Sequence, residues 1–112
     1  MSESLENSMQ EHAEKAATML KQMSSPARLM ILCALVESEM AVNELNERIQ
    51  LSQSALSQHL AKLRESKLVS TRKEKQTVFY RLKGKEVIQI IGVLKNIYCP
   101  TQSIDEENSN DS

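Results

Sequence analysis

A chain of 112 residues, 40% of them apolar, suits a single domain with one core. With one Phe, two Tyr and no Trp, that core is aliphatic, and few rings remain to stack on single-stranded nucleic acid. The net charge is −1, from 14 Lys and Arg against 15 Asp and Glu, but its distribution is uneven. Lys62, Arg64, Lys67, Arg72, Lys73, Lys75, Arg81 and Lys83 fall between positions 52 and 83, opposed there only by Glu65 and Glu74. Acids crowd the flanks instead: Glu3, Glu6, Glu11 and Glu14 at one end, Asp105, Glu106, Glu107 and Asp111 at the other. Such asymmetry marks a local polyanion-binding face. No apolar run approaches the ~18 residues of a membrane span. The start, Met1-Ser-Glu-Ser, is acidic where a secretory signal is basic and then apolar. A cytoplasmic protein with no membrane partner is expected. The two histidines, His12 and His59, complete no nucleophile–base pair, and the chain shows no phosphate loop or paired-carboxylate motif. Neither an enzyme nor a bound cofactor is expected.

Met9, Ala13, Ala16, Leu20 and Met23 recur at spacings of four and three, a narrow stripe on a first helix suited to packing against another helix. Ser24-Ser25-Pro26 starts a second helix, with Ser as N-cap and Pro in the first turn. Leu29, Ile31, Leu32, Cys33, Leu35 and Val36 make this helix apolar on most sides as far as about Ser38, so it is central. A third, shorter helix spans Ala41 to Ile49, with Val42, Leu45 and Ile49 inward. Gln50-Leu51 is a tight junction, and Ser52 N-caps a fourth helix reaching about Ser66. There Leu56, Leu60 and Leu63 face the core, which places Gln53, Ser54, Ser57 and Gln58 outward.

Val69 and Thr71, then Thr77 to Leu82, are rich in β-branched and aromatic residues and predict a two-stranded hairpin. Its tip falls near Lys73 to Gln76, with no Asn-Gly or Asp-Gly to fix the turn. Gly84 ends it. A last helix from Lys85 to Tyr98 carries Val87, Ile88, Ile90, Ile91, Val93, Leu94 and Ile97, more apolar surface than one core face requires. Pro100 stops it. The expected architecture is mainly α with a small β-hairpin, occupying residues 8–100. Residues 1–7 and the acidic stretch 101–112 are expected to be disordered.

Two short helices joined by a tight turn, the second with a polar outer face, form a helix-turn-helix, and the basic hairpin makes it a winged one. Gln pairs bidentately with adenine and Ser approaches a groove wall closely, so Gln53, Ser54, Ser57 and Gln58 are the candidate base readers. His59 either joins them or is a hydrogen-bonded residue at the core's edge. Lys62 and Arg64 on the helix, with Arg72, Lys73 and Lys75 on the wing, would meet phosphates and set register. The partner is then double-stranded DNA, read as an inverted repeat by a homodimer joined through the surplus apolar surface of the first and last helices, where Gly92 permits close approach. A winged helix that binds protein instead of DNA is the alternative from another class.

Leu51-Ser-Gln-Ser-Ala-Leu-Ser-Gln-His-Leu-Ala-Lys-Leu-Arg64 followed by Leu68-Val69 resembles the recognition helix of the ArsR/SmtB family of winged-helix repressors. Pro26-Ala-Arg-Leu-Met-Ile-Leu32 is similar to that family's early helix, and Gln76-Thr-Val-Phe-Tyr80 to its second wing strand. The resemblance runs from about Lys15 to Pro100 and implies a dimeric DNA-binding regulator. Many members hold metals through a Cys-x-Cys pair or through His and Asp on the last helix. This chain has one thiol in Ile31-Leu-Cys33-Ala-Leu35 and neither His nor Asp from Lys85 to Tyr98, so no metal is expected and a thiol-binding metalloid sensor is a secondary reading.

Cys33 and Cys99, in Ile31-Leu-Cys33 and Asn96-Ile-Tyr-Cys99-Pro100, resemble the cysteine pair of the HlyU/BigR-like dithiol branch of that family. The resemblance implies a switch in which the pair is bridged by reactive sulfur species or oxidants, the small inducer, and DNA is released. It leaves open whether the protein represses directly or displaces another DNA-bound protein. Otherwise the two cysteines are small buried hydrophobes.

Overall fold

In a computed structural model describing residues 2–98, with side chains from Ser8 onward, the order is α1 (Ser2–Met23), α2 (Pro26–Glu37), β1 (Met40–Ala41), α3 (Val42–Arg48), α4 (Gln53–Glu65), β2 (Val69–Glu74), β3 (Thr77–Leu82) and α5 (Lys85–Tyr98). Met1, Cys99, Pro100 and the acidic stretch 101–112 lie outside the described residues.

The capping chemistry reads directly into the coordinates. Ser25 Oγ accepts the backbone N–H of Arg28 at 3.3 Å, with Pro26 in the first turn of α2. Ser52 Oγ accepts that of Ala55 at 3.0 Å and starts α4. Between α3 and α4 the chain turns tightly: the N–H of Ile49 reaches Leu45 O and that of Leu51 reaches Ile49 O, both at 2.9 Å. Asn46 Nδ2 donates to Leu51 O at 2.9 Å, which pins the turn from inside the preceding helix.

α2 is the hub. It buries Ile31, Leu32, Ala34 and Leu35 and packs against α1, α3, α4, α5 and β3. Leu45, Leu56, Leu60, Leu63 and Ile91 complete a core with no residual exposure at these positions. Each such leucine stabilises the fold by roughly 1.5–3 kcal/mol on burial alone. α4 is therefore clamped along one side by three leucines in register, and its other side is left to solvent.

The wing differs from the expected two-stranded hairpin. It is a three-stranded antiparallel sheet in the order β1-β3-β2. Ala41, expected to open the third helix, is extended, with φ −81 and ψ 165. Met40 pairs with Tyr80 and Ala41 with Phe79. Both residues are buried, so their backbone groups need partners, and the open edge of β3 supplies them. The Ala41 N–H is taken by Glu44 Oε1 at 2.8 Å, and α3 then begins at Val42. β2 and β3 pair from Val69↔Leu82 to Glu74↔Thr77, which narrows the turn to Lys75 and Gln76. Lys75 takes φ 59 there, the left-handed region that a turn lacking Asn-Gly or Asp-Gly must impose on an ordinary residue.

α4 ends in a Schellman motif. The Leu68 N–H bonds Leu63 O at 2.9 Å and the Lys67 N–H bonds Arg64 O at 3.0 Å, with Lys67 at φ 64. Glycine is the usual occupant of that position; here a lysine holds it.

Candidate nucleic-acid interface

Leu56, Leu60 and Leu63 fix the rotation of α4, and Gln53, Ser54, Ser57 and Gln58 are all exposed. At about 100° per residue they span an arc of roughly 140°. Gln53 and Ser54 occupy the first turn, beside Ser52. Gln53 shares a shallow polar hollow with Asn43, Asn46 and Glu47 of α3, so the first helix of the pair contributes polar groups to the same face. Ser57 shares a second hollow with Arg64 and Tyr80, where α4 meets β3. The surface thus combines short hydrogen-bonding groups at the helix start with cations two turns later. Asn43 had no expected role; only its position on α3 beside Gln53 reveals one.

His59 stands apart from this row. It is half-buried, and its Nδ1 accepts the Nε–H of Arg28 at 3.1 Å. Arg28 Nη1 in turn donates to Gln22 O and Gln22 Oε1, each at 3.0 Å. The hydrogen bond at the core's edge, one of the two roles expected for His59, is the one the geometry shows. Sequence inspection missed Arg28, which ties the end of α1, the start of α2 and the middle of α4 together.

The expected phosphate contacts divide into two groups. Lys73, at the distal end of β2, and Lys75, in the turn, are exposed. Arg64 is exposed on the Ser57 side, and Lys62 is exposed with Glu65 Oε1 at 3.8 Å. Arg72 is placed differently: its guanidinium meets Glu39 Oε1 and Oε2, both 2.9 Å from Nε, and Glu74 Oε1 at 3.0 Å, and it stacks 4.7 Å above the Phe79 ring. The hydrogen bonds from Arg72 hold the Glu39 carboxyl below its ordinary range. In this geometry Arg72 links the wing to the loop between α2 and β1.

On the opposite side of α2, Cys33 is half-buried and lines an apolar cavity of about 450 Å³ with Leu29, Ala34, Ile49, Leu94 and Tyr98. Glu37 stands at its rim, bound to Arg48 at 3.2 Å and to Lys95. Cys99, the other half of the expected pair, lies outside the described residues. Among the described residues no three His, Cys, Asp or Glu side chains gather as a metal-binding group, and no helix is long and apolar enough to cross a membrane.

Residues 25–71 match the family described as "Bacterial regulatory protein, arsR family". The transcriptional activator HlyU of Vibrio cholerae is 53% identical over 91 residues, 81% of this chain and 84% of that one. The chain belongs to the ArsR family. The biofilm growth-associated repressor of Xylella fastidiosa is 43% identical over 91 residues, covering 81% of this chain and 80% of its own. Reduced HlyU from Vibrio cholerae superposes with a TM-score of 0.79 at 52% identity, over 82% of this chain and 97% of that one. As an ArsR-family member, the protein is a DNA-binding transcriptional regulator with a winged helix-turn-helix fold, and its relatives are regulators, not enzymes. The matched segment runs from the Ser25 cap through α4 into β2, which is the span holding the candidate base readers.

Proposed function

We propose that this ArsR-family regulator acts in the cytoplasm as a homodimer on an inverted-repeat operator, one α4 per half-site, and that bridging of Cys33 and Cys99 by a reactive sulfur species or oxidant releases it. The observation that carries the DNA reading is the outward row Gln53, Ser54, Ser57 and Gln58 on a helix immobilised by three fully buried leucines. A rigid rod with short polar groups at its start is what a major groove admits. Lys62, Arg64, Lys73 and Lys75 then supply phosphate contacts.

The dimer is supported by apolar side chains left open on the protomer: Met9 and Leu20 on α1, and Ile88, Val93 and Ile97 on α5. A Cβ built on Gly92 would meet nothing within 4 Å, so that stretch of α5 has room for a neighbouring helix. An isologous contact of α1 and α5 with their copies would set two α4 helices about one DNA turn (~34 Å) apart.

The switch is supported by Cys33 sharing a cavity with Leu94 and with Tyr98, which precedes Cys99 in the chain. In the bridging step the two thiols lose two protons and two electrons. An organic disulfide or trisulfide accepts them and leaves as two thiols, a trisulfide depositing its central sulfur in the bridge. The bond would tether the end of α5 to the hub helix and shift the two-fold spacing. Because the relatives include both an activator and a repressor, occupancy of DNA is the shared property and the effect on transcription depends on the promoter.

The experiment is fluorescence anisotropy on labelled promoter duplex with reduced protein, with protein treated with organic trisulfide, and with Cys33→Ser and Cys99→Ser. Tight binding only by the reduced protein, with both variants indifferent to treatment, is expected. Equal affinity in all samples would discard the switch, and no preference of reduced protein for any promoter duplex would discard the DNA reading.

A further inference from the structure

Two cations of the basic segment stand far from the DNA-reading end of the molecule. α4 has 13 residues, about 20 Å at 1.5 Å per residue, and Lys67 follows its C-terminus, whereas the base readers begin at its N-terminus. Lys83 follows the end of β3, six residues or about 20 Å from the turn that carries Lys75. These two ends meet, since the Lys83 N–H bonds Leu68 O at 2.9 Å. Together with α1 and the start of α5 they border an open cleft of about 530 Å³.

The walls of this cleft are of two kinds. Met19, Leu68, Val87 and Ile90 form an apolar floor continuous with the core. Lys15, Lys67 and Lys83 stand around it with His12, against the single acid Glu86. Among the described residues five ion pairs form, none of them at these three lysines. An apolar floor beneath a rim with an excess of cations matches a molecule with an alkyl body and one anionic head. We infer that this cleft binds a medium-chain alkyl carboxylate, its chain on the floor and its head among the three lysines. The site is separate from the cavity at Cys33 and from the polar face of α4, and the inference does not depend on the DNA reading.

Isothermal titration of the full-length protein with decanoate, below its aggregation concentration, tests it, with decanol and decyltrimethylammonium as head-group controls. Decanoate should bind at one site per chain, about tenfold or more tighter than decanol, the factor a charge-assisted contact supplies. Lys15→Gln should weaken it several-fold. Lys83→Gln, on the rim at the end of β3, should weaken it likewise while circular dichroism stays unchanged. Equal binding of decanol, undiminished binding by both variants, or no binding at all would overturn the assignment. So would two other results: binding only to vesicles of anionic lipid, which would make the rim a membrane contact, and binding only by a monomeric variant, which would make the cleft an interface between copies.

Discussion

Arg28 donates its Nε–H to His59 Nδ1 across 31 positions of sequence, at 3.1 Å. The contact sets the α4 helix against the start of α2, and through Gln22 against the end of α1. In a double-mutant cycle of Arg28→Ala and His59→Ala, measured by urea unfolding at fixed protein concentration, the two losses should be non-additive by about 1 kcal/mol. Strict additivity would show that the two side chains act independently.

Gln53→Ala and Gln58→Ala should each weaken operator binding by about 1–3 kcal/mol where they contact a base, and leave the melting temperature unchanged because both are exposed. Among the cations, Lys73→Gln and Lys75→Gln should each lower the slope of log K against log salt by about 1. Arg72→Gln should leave that slope alone, since Glu39 and Glu74 already hold its charge. A slope that falls equally for all three would return Arg72 to the phosphate contacts.

These differences show what a single sequence conveys. The caps at Ser25 and Ser52, and the spacing of Leu56, Leu60 and Leu63, are local signals, and the helices they predict are present with their polar faces where expected. β1 has two residues and no periodicity of its own; it exists because β3 offers an edge. The neutralisation of Arg72 by Glu39 and the engagement of His59 by Arg28 join residues more than thirty positions apart. Composition gives no hint of such pairings.

Lys67 holds a left-handed conformation, φ 64, at the end of α4. Such a conformation costs a residue bearing Cβ about 1–2 kcal/mol, so Lys67→Gly should stabilise the protein by about 1 kcal/mol, roughly 4–8 °C for a domain of this size. Thermal unfolding checks it, and a fall in melting temperature would mean the lysine side chain contributes more than its backbone strain removes.

The Glu37 carboxyl is held below its ordinary value of 4.5, first by its hydrogen bond from Lys95 and then by that from Arg48. A pKa lower in the folded than in the unfolded chain gives stabilisation that is present above 4.5 and disappears as pH falls through the depressed value. Glu37→Gln should therefore flatten the acid limb of the stability profile. At neutral pH it should cost no more than about 1 kcal/mol, because the group is well solvated. An acid limb identical to that of the unmodified protein would contradict this.

Val93 and Ile97 are 58% and 60% exposed in the protomer, so Val93→Asp and Ile97→Asp should spare its fold. In the proposed dimer they would bury a charge at the contact. Sedimentation should show a monomer, with operator affinity reduced accordingly; an undisturbed dimer would move the interface elsewhere.

The pairing of Met40 and Ala41 with Tyr80 and Phe79 has a mechanical result. The wing is stitched to the chain between the hub helix and α3, Arg72 with Glu39 adds a second stitch, and β2 also packs on α4, which ties these elements into one block. In the dimer proposed above, two such blocks would have little means of loosening their grip within a half-site. The adjustable dimension of that dimer would be the span between half-sites, which an inducer acting where the two copies meet would change with the candidate reading side chains kept in place.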